Sequence, residues 1–160
     1  MRLSKNFTLQ EFTKSQTALR HGIDNTPGEE HLANAKELFA NVVQKVRENF
    51  GVTVINSGYR GPALNEAVGG SSKSQHCKGE AVDIECPGTG NYDVAKWISE
   101  NCDFDQLILE FYKKDDPAGG WVHVSYNEKG ANRKQVLTYD GKSYENGLPE
   151  MKWSGGKVVE

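Results

Sequence analysis

The sequence predicts an α+β fold, an antiparallel-rich sheet of about four or five strands with helices on one face. Two observations predict it: one long run of apolar residues at three- and four-residue steps, and several short β-branched runs in which apolar and polar residues alternate. A third bounds it. No internal repeat or linker divides the 160 residues, so the chain reads as a single domain, 1–160, long enough to bury a core.

The opening segment, to about Thr26, reads as an irregular but ordered arm pinned by Phe7, Leu9 and Phe12. Thr26-Pro27-Gly28-Glu29 then predicts a helix start, with a threonine cap, proline at the first helical position and a glutamate placed to bond back to the cap. Leu32, Ala35, Leu38, Phe39, Val42, Val43 and Val46 form the apolar stripe of this long helix, and Gly51 stops it. Residues 52–57 read as a strand, and 62–68 as a short helix closed by Gly69-Gly70. Strands follow at 80–85, 106–111 and 121–126, with a helix at 92–100 between the first two. After a run at 136–139, Asp140-Gly141 predicts a hairpin turn, and the tail beyond it carries little core signal.

Alternation along the strands sorts the polar residues. Val82 and Ile84 share one face of their strand and Ala81, Asp83 and Glu85 the other. Val122, Val124 and Tyr126 oppose Trp121, His123 and Ser125; Leu107, Leu109 and Phe111 oppose Gln106, Ile108 and Glu110. Each strand thus offers an apolar side to the long helix and a polar side to something else.

Composition excludes several classes of function. A hydrophobic share of 36% with 26% charged residues describes a globular chain rather than a disordered or membrane-embedded one. A formal charge of −3 argues against nucleic-acid binding, which needs a basic surface. The N-terminus has no apolar stretch of the secretory type, so the chain is expected to be made in the cytoplasm. Cys77, Cys86 and Cys102 are odd in number and form no CxxC pair, so reduced thiols are expected.

Among four histidines, His21 falls in the arm and His31 at the start of the long helix. His76 lies in a glycine- and serine-rich loop seven residues before Asp83, with Gly79 allowing a tight turn between them, and His123 sits on a strand face. Two histidines and an aspartate with an open position for water suit catalytic zinc. Taken singly, a histidine or aspartate is more often a structural hydrogen-bonding residue.

The stretch Ser74-Gln75-His76-Cys77-Lys78-Gly79-Glu80-Ala81-Val82-Asp83 resembles the SxHxxGxAxD signature of the zinc D-Ala-D-Ala carboxypeptidase and dipeptidase family, which includes phage endolysin endopeptidases. Trp121-Val122-His123-Val124-Ser125 resembles the family's second block and Ser57-Gly58-Tyr59-Arg60 its upstream SGYR block. Phe7-Thr8-Leu9-Gln10-Glu11-Phe12 and Gly22-Ile23-Asp24-Asn25 are similar to small phage and bacterial members. The resemblance covers about 7–126; residues 133–160 form a C-terminal extension of unknown role.

The resemblance implies that His76, Asp83 and His123 bind Zn2+, on the sheet face opposite the helices. Arg60 would stabilise the oxyanion or hold a substrate carboxylate, against the alternative of a surface salt bridge. Ser74 would hydrogen-bond near metal or substrate, or cap a turn. Many relatives place an acid three residues before the last zinc histidine, or a histidine two before it; here Gly120 and Trp121 stand there. Glu110, in a segment similar to the QLIxE of small relatives, is the candidate general base. Asp115 and Asp116, beside Pro117, are rivals that read more simply as solvated loop carboxylates. Trp121 either contacts substrate or packs on the sheet, and Cys77 is left out of the metal set because His76 fills the family position.

By the resemblance, the partner is the peptidoglycan stem peptide, with neither nucleic acid nor membrane bound, and the chain acts as a monomer. A phage-type lysin, reaching the wall once a separate protein permeabilises the host membrane, is the leading expectation. A D-Ala-D-Ala carboxypeptidase of wall metabolism, or a non-catalytic zinc-holding wall-binding or virion module, are the alternatives.

Overall fold

The computed structural model describes the chain apart from residues 72, 114, 117, 118, 150, 151, 155, 156 and 160, and only the backbone of 152–154 and 157–159. A six-stranded mixed sheet organises the described residues. Its strands are β3 (Val54–Ser57), β4 (Ala81–Glu85), β5 (Gln106–Glu110), β6 (Trp121–Ser125), β7 (Gln135–Tyr139) and β8 (Tyr144–Asn146), in the spatial order β3-β4-β6-β5-β7-β8. All neighbours pair antiparallel except β5 and β7, which run parallel. The α+β expectation holds. The sixth strand is the second arm of the hairpin that Asp140-Gly141 predicted: the Asp140 carboxylate accepts the Lys142 and Ser143 N–H groups and closes that turn.

The N-terminal arm is more regular than its composition suggests. β1 (Arg2–Ser4) and β2 (Phe7–Thr8) form a two-stranded ribbon, followed by α1 (Leu9–Thr13) and α2 (Gln16–His21). α1 begins with a capping box in which the Thr8 hydroxyl accepts the Glu11 N–H and the Glu11 carboxylate accepts the Thr8 N–H. Phe7 and Phe12 pack edge-on against Phe39, at ring-centroid distances of 5.3 and 5.4 Å. The arm is thereby pinned through the residues expected to pin it.

The long helix runs through α3 (Glu29–Leu38), a π-helical turn (Phe39–Val43) and α4 (Gln44–Phe50). Its start differs from the expectation: Gly28, not Thr26, is the N-cap, and no side chain caps it. The cause is Asp24, whose carboxylate takes the Thr26 N–H at 3.0 Å and closes a local turn. The π-helical turn lets Phe39, Val42 and Val43 all face inward, and Gly51 ends α4 at a φ of 85°.

The short helix expected at 62–68 forms as α5 (Pro62–Ala67), and the long helix together with α6 (Asn91–Asn101) covers the apolar face of the sheet. Leu38, Val42, Val46 and Ile98 meet Val82, Ile84, Leu107, Leu109, Val122 and Val124 in one core, all fully buried. Each such side chain contributes about 1.5–3 kcal/mol relative to remaining in water. Phe111 departs from the expected alternation. Its φ of 55° takes it out of β5 at Glu110, and the residue is 41% exposed, its ring packed on Trp121 on the polar side. The tail also contributes more than expected, since Leu148 packs against the core. A backbone hairpin of β9 (Lys152–Ser154) and β10 (Lys157–Val159) ends the chain. Among the described residues no helix is long and apolar enough to cross a membrane. Cys77, Cys86 and Cys102 are free thiols.

Candidate metal centre

Sheet register assembles the site. β4 and β6 pair so that Asp83 stands opposite His123, and β3 brings Ser57 level with Asp83 on the other side. Immediately after β3, the backbone of residues 58–60 passes over the metal face. Gly58 packs so closely on Phe12 that a Cβ there would lie 2.2 Å from the Phe12 carbonyl oxygen. The Tyr59 N–H donates to that same oxygen, the Asn25 amide donates to the Tyr59 carbonyl, and the Gly61 N–H donates to the Asn25 side chain. His31 is spent on the Tyr59 hydroxyl, at 3.0 Å, and His21 is exposed.

His76 comes in on a 3-10 turn (Gln75–Lys78) that Ser74 caps and Gly79 closes at a φ of 74°. Its Nδ1 donates to the Gly58 carbonyl at 2.8 Å. That bond fixes the orientation of the ring and turns Nε2 toward Asp83 Oδ1, 3.4 Å away. His123 Nδ1 lies 2.9 Å from the same carboxylate oxygen. One ligand atom from each of His76, Asp83 and His123 falls within 4.8 Å of the others. Burial works against the Asp83 carboxylate, but hydrogen bonds from His123 and His76 outweigh it and hold the group well below the usual carboxylate range. Two imidazoles and an ionised carboxylate, with one histidine oriented by a backbone carbonyl, form a donor set that fits zinc. Cys77 is half-buried and outside this group.

The other expected site residues gather around a cavity of about 550 Å³, which Arg60, Ser74, Glu110 and Trp121 line together with the three ligand candidates. Glu110 stands opposite Trp121 in the β5–β6 pairing, and the Trp121 indole N–H donates to its carboxylate. Burial and then the Asp83 carboxylate push the Glu110 carboxyl upward, against the pull of His123, the indole N–H and His76. Trp121 therefore packs, on Phe111, and also orients an acid. Ser74 does two things as well. Its oxygen accepts the His76 N–H at 3.2 Å and the Arg60 Nη2 donor at 3.3 Å. Arg60 Nε is buried without a hydrogen-bond partner, and Arg60 forms no salt bridge among the described residues.

Asp115 and Asp116 are exposed and do not line the cavity; Pro117 lies outside the described residues. The sequence reading missed a second network on the cavity wall. Asp105 is buried and takes a bidentate pair from Arg133, at 2.9 and 3.0 Å, and the Gln75 amide at 3.0 Å. Its hydrogen bond from Arg133 is the main cause that holds its carboxyl below the ordinary range. No local pattern announces this network, because its members lie 28 and 30 residues apart.

A cavity lined by a His-Asp-His group with a carboxylate one strand away defines a metal-dependent hydrolytic centre. A family model described as Peptidase M15 matches residues 5–125. The chain belongs to that family, the zinc metallopeptidases of D-Ala-D-Ala carboxypeptidase type. The match contains each expected site residue and ends with β6, leaving β7 and β8 beyond it. None of the curated proteins compared with it matches the chain.

Proposed function

We propose that this chain is a peptidoglycan peptidase that hydrolyses bonds of the stem peptide, as a phage-type endolysin, with His76, Asp83 and His123 holding a single zinc ion. The observation that carries the reading is Glu110, which approaches the His-Asp-His group from the neighbouring strand, in the cavity where a scissile carbonyl would lie. Zinc bound there supplies Lewis acidity and a water whose pKa is lowered toward ~7.

The protein's own residues do the rest. Glu110 accepts the proton of the attacking water and returns it to the departing amine, and the raised affinity of its carboxyl for protons suits that exchange. The Trp121 indole holds the Glu110 carboxylate in place. Arg60, steadied by Ser74 and with an N–H still unmet, takes a substrate carboxylate or the developing oxyanion. Asp83 stays ionised, and the Gly58 carbonyl turns His76 Nε2 toward the ligand group, so both are committed to holding the metal rather than to moving the proton.

The test is release of free amines from purified peptidoglycan by the zinc-loaded protein, with mass spectrometry of the fragments. Amine release that a chelator stops is the expected result, and fragments ending at an L-Ala-D-Glu junction would support the endolysin over the D-Ala-D-Ala carboxypeptidase. Binding to wall without any cleavage at full zinc occupancy would replace this reading with that of a non-catalytic wall-binding module.

A further inference from the structure

The chain beyond the family match carries aromatic residues to the rim of the same cavity. In the β5–β7 pairing Glu110 is level with Tyr139, and in the β7–β8 pairing Tyr139 is level with Tyr144. Trp121, Glu110, Tyr139 and Tyr144 therefore form one row across the sheet. The rings follow it. Tyr144 stacks on Tyr139 at 4.4 Å and 24°, Tyr139 meets the Phe111 edge at 5.4 Å, and Phe111 packs on Trp121 at 4.9 Å. Tyr144 is 57% exposed, yet it lines the cavity that holds His76, Asp83 and His123.

Position decides what Tyr144 can touch. Three strand spacings of about 4.8 Å set its backbone on the order of 14 Å from that of Trp121. A substrate residue advances the chain by at most ~3.6 Å, so an extended substrate covers more of that rim than a free dipeptide bound at the metal does. The cleft also has a polar end at Arg60, Lys73 and Arg133, which leaves the Tyr144 end for the less charged part of a ligand.

We propose that Tyr144, backed by Tyr139, is a substrate-contacting specificity residue that packs against a saturated C–H face of an extended substrate, and so favours wall fragments over free dipeptides. An aminosugar ring of the glycan strand and an aliphatic side chain of a longer peptide both present such a face. The inference rests on the peptidase reading above.

The experiment compares kcat/KM for three substrates: a disaccharide-peptide, the same peptide without its disaccharide, and the D-Ala-D-Ala dipeptide. Wild type, Tyr144→Ala and Tyr144→Phe are run side by side, with thermal melts to confirm folding. The preference for the extended substrates over the dipeptide is expected to fall roughly three- to tenfold in Tyr144→Ala and to survive in Tyr144→Phe. A fall confined to the disaccharide-peptide assigns the sugar; an equal fall for the sugar-free peptide assigns the aliphatic side chain. An undiminished preference in a folded Tyr144→Ala protein overturns the inference. Calorimetric titration of the disaccharide-peptide into zinc-loaded Glu110→Gln protein, with and without Tyr144→Ala, separates the two levels. The same factor is expected in Kd. An unchanged Kd overturns the role of Tyr144, whereas failure of the wild type to cleave any of the three overturns the peptidase reading instead.

Discussion

Asp83 and His123 face each other across the antiparallel β4–β6 pair, with Asp83 Oδ1 2.9 Å from His123 Nδ1. Two of the three ligand candidates are therefore fixed by strand register, and a one-residue slip of either strand would send its ligand to the core face. The third, His76, depends on a loop, held by the backbone carbonyl of Gly58.

Glu110→Gln keeps the shape of the side chain and removes its basicity. Hydrolysis of peptidoglycan should fall by about 10²–10⁴-fold while metal content stays at the wild-type level. Trp121→Phe, which deletes the indole donor to Glu110, should lower the rate less. Steady-state rates with metal analysis on the same samples check both.

Gly58→Ala should damage the site from a distance. Its Cβ would lie 2.2 Å from the Phe12 carbonyl oxygen and 2.7 Å from the Phe12 ring, so the loop must move, at a cost of roughly 1–3 kcal/mol. The carbonyl that orients His76 moves with it, and metal affinity should drop by about 10–100-fold. Urea melts and metal titration read the two effects separately.

The Asp105–Arg133 pair predicts a pH dependence of stability. Its hydrogen bonds with Arg133 hold the Asp105 carboxyl below its ordinary value in the folded protein, so its contribution is full above the unfolded pKa of about 3.9 and is lost as pH falls through the folded value. Arg133 is 57% exposed, which keeps the contribution modest, on the order of 1 kcal/mol. Asp105→Asn should be less stable than wild type at pH 7, with the gap closing below about pH 4. Urea melts at both pH values check it.

Much of the site was legible because a strand's period of two assigns faces without knowledge of the fold: His123, Asp83 and Glu110 were separable from Val122, Val82 and Leu109 by position alone. The family signature added Arg60 and Ser74. Other features were harder to read. The Thr8-x-x-Glu11 capping box was present in the arm and passed unread, which cost α1. The Asp24 turn that displaced the start of α3 is a competition between two local hydrogen bonds, and helix signals alone cannot rank them. Neither the parallel β5–β7 pairing nor the Asp105–Arg133–Gln75 network has a local signature, because both join residues far apart in the chain. Phe111 broke alternation through a left-handed backbone that nothing in its own side chain favours.

The most direct test of the account is the metal content of the purified protein, measured by mass spectrometry beside a His76→Ala variant that is shown to be folded. About one zinc per chain in the wild type, lost in the variant, is the predicted result. A wild type that takes up no zinc, or a folded variant that keeps it, would contradict the assignment of His76, Asp83 and His123 and the mechanism built on them.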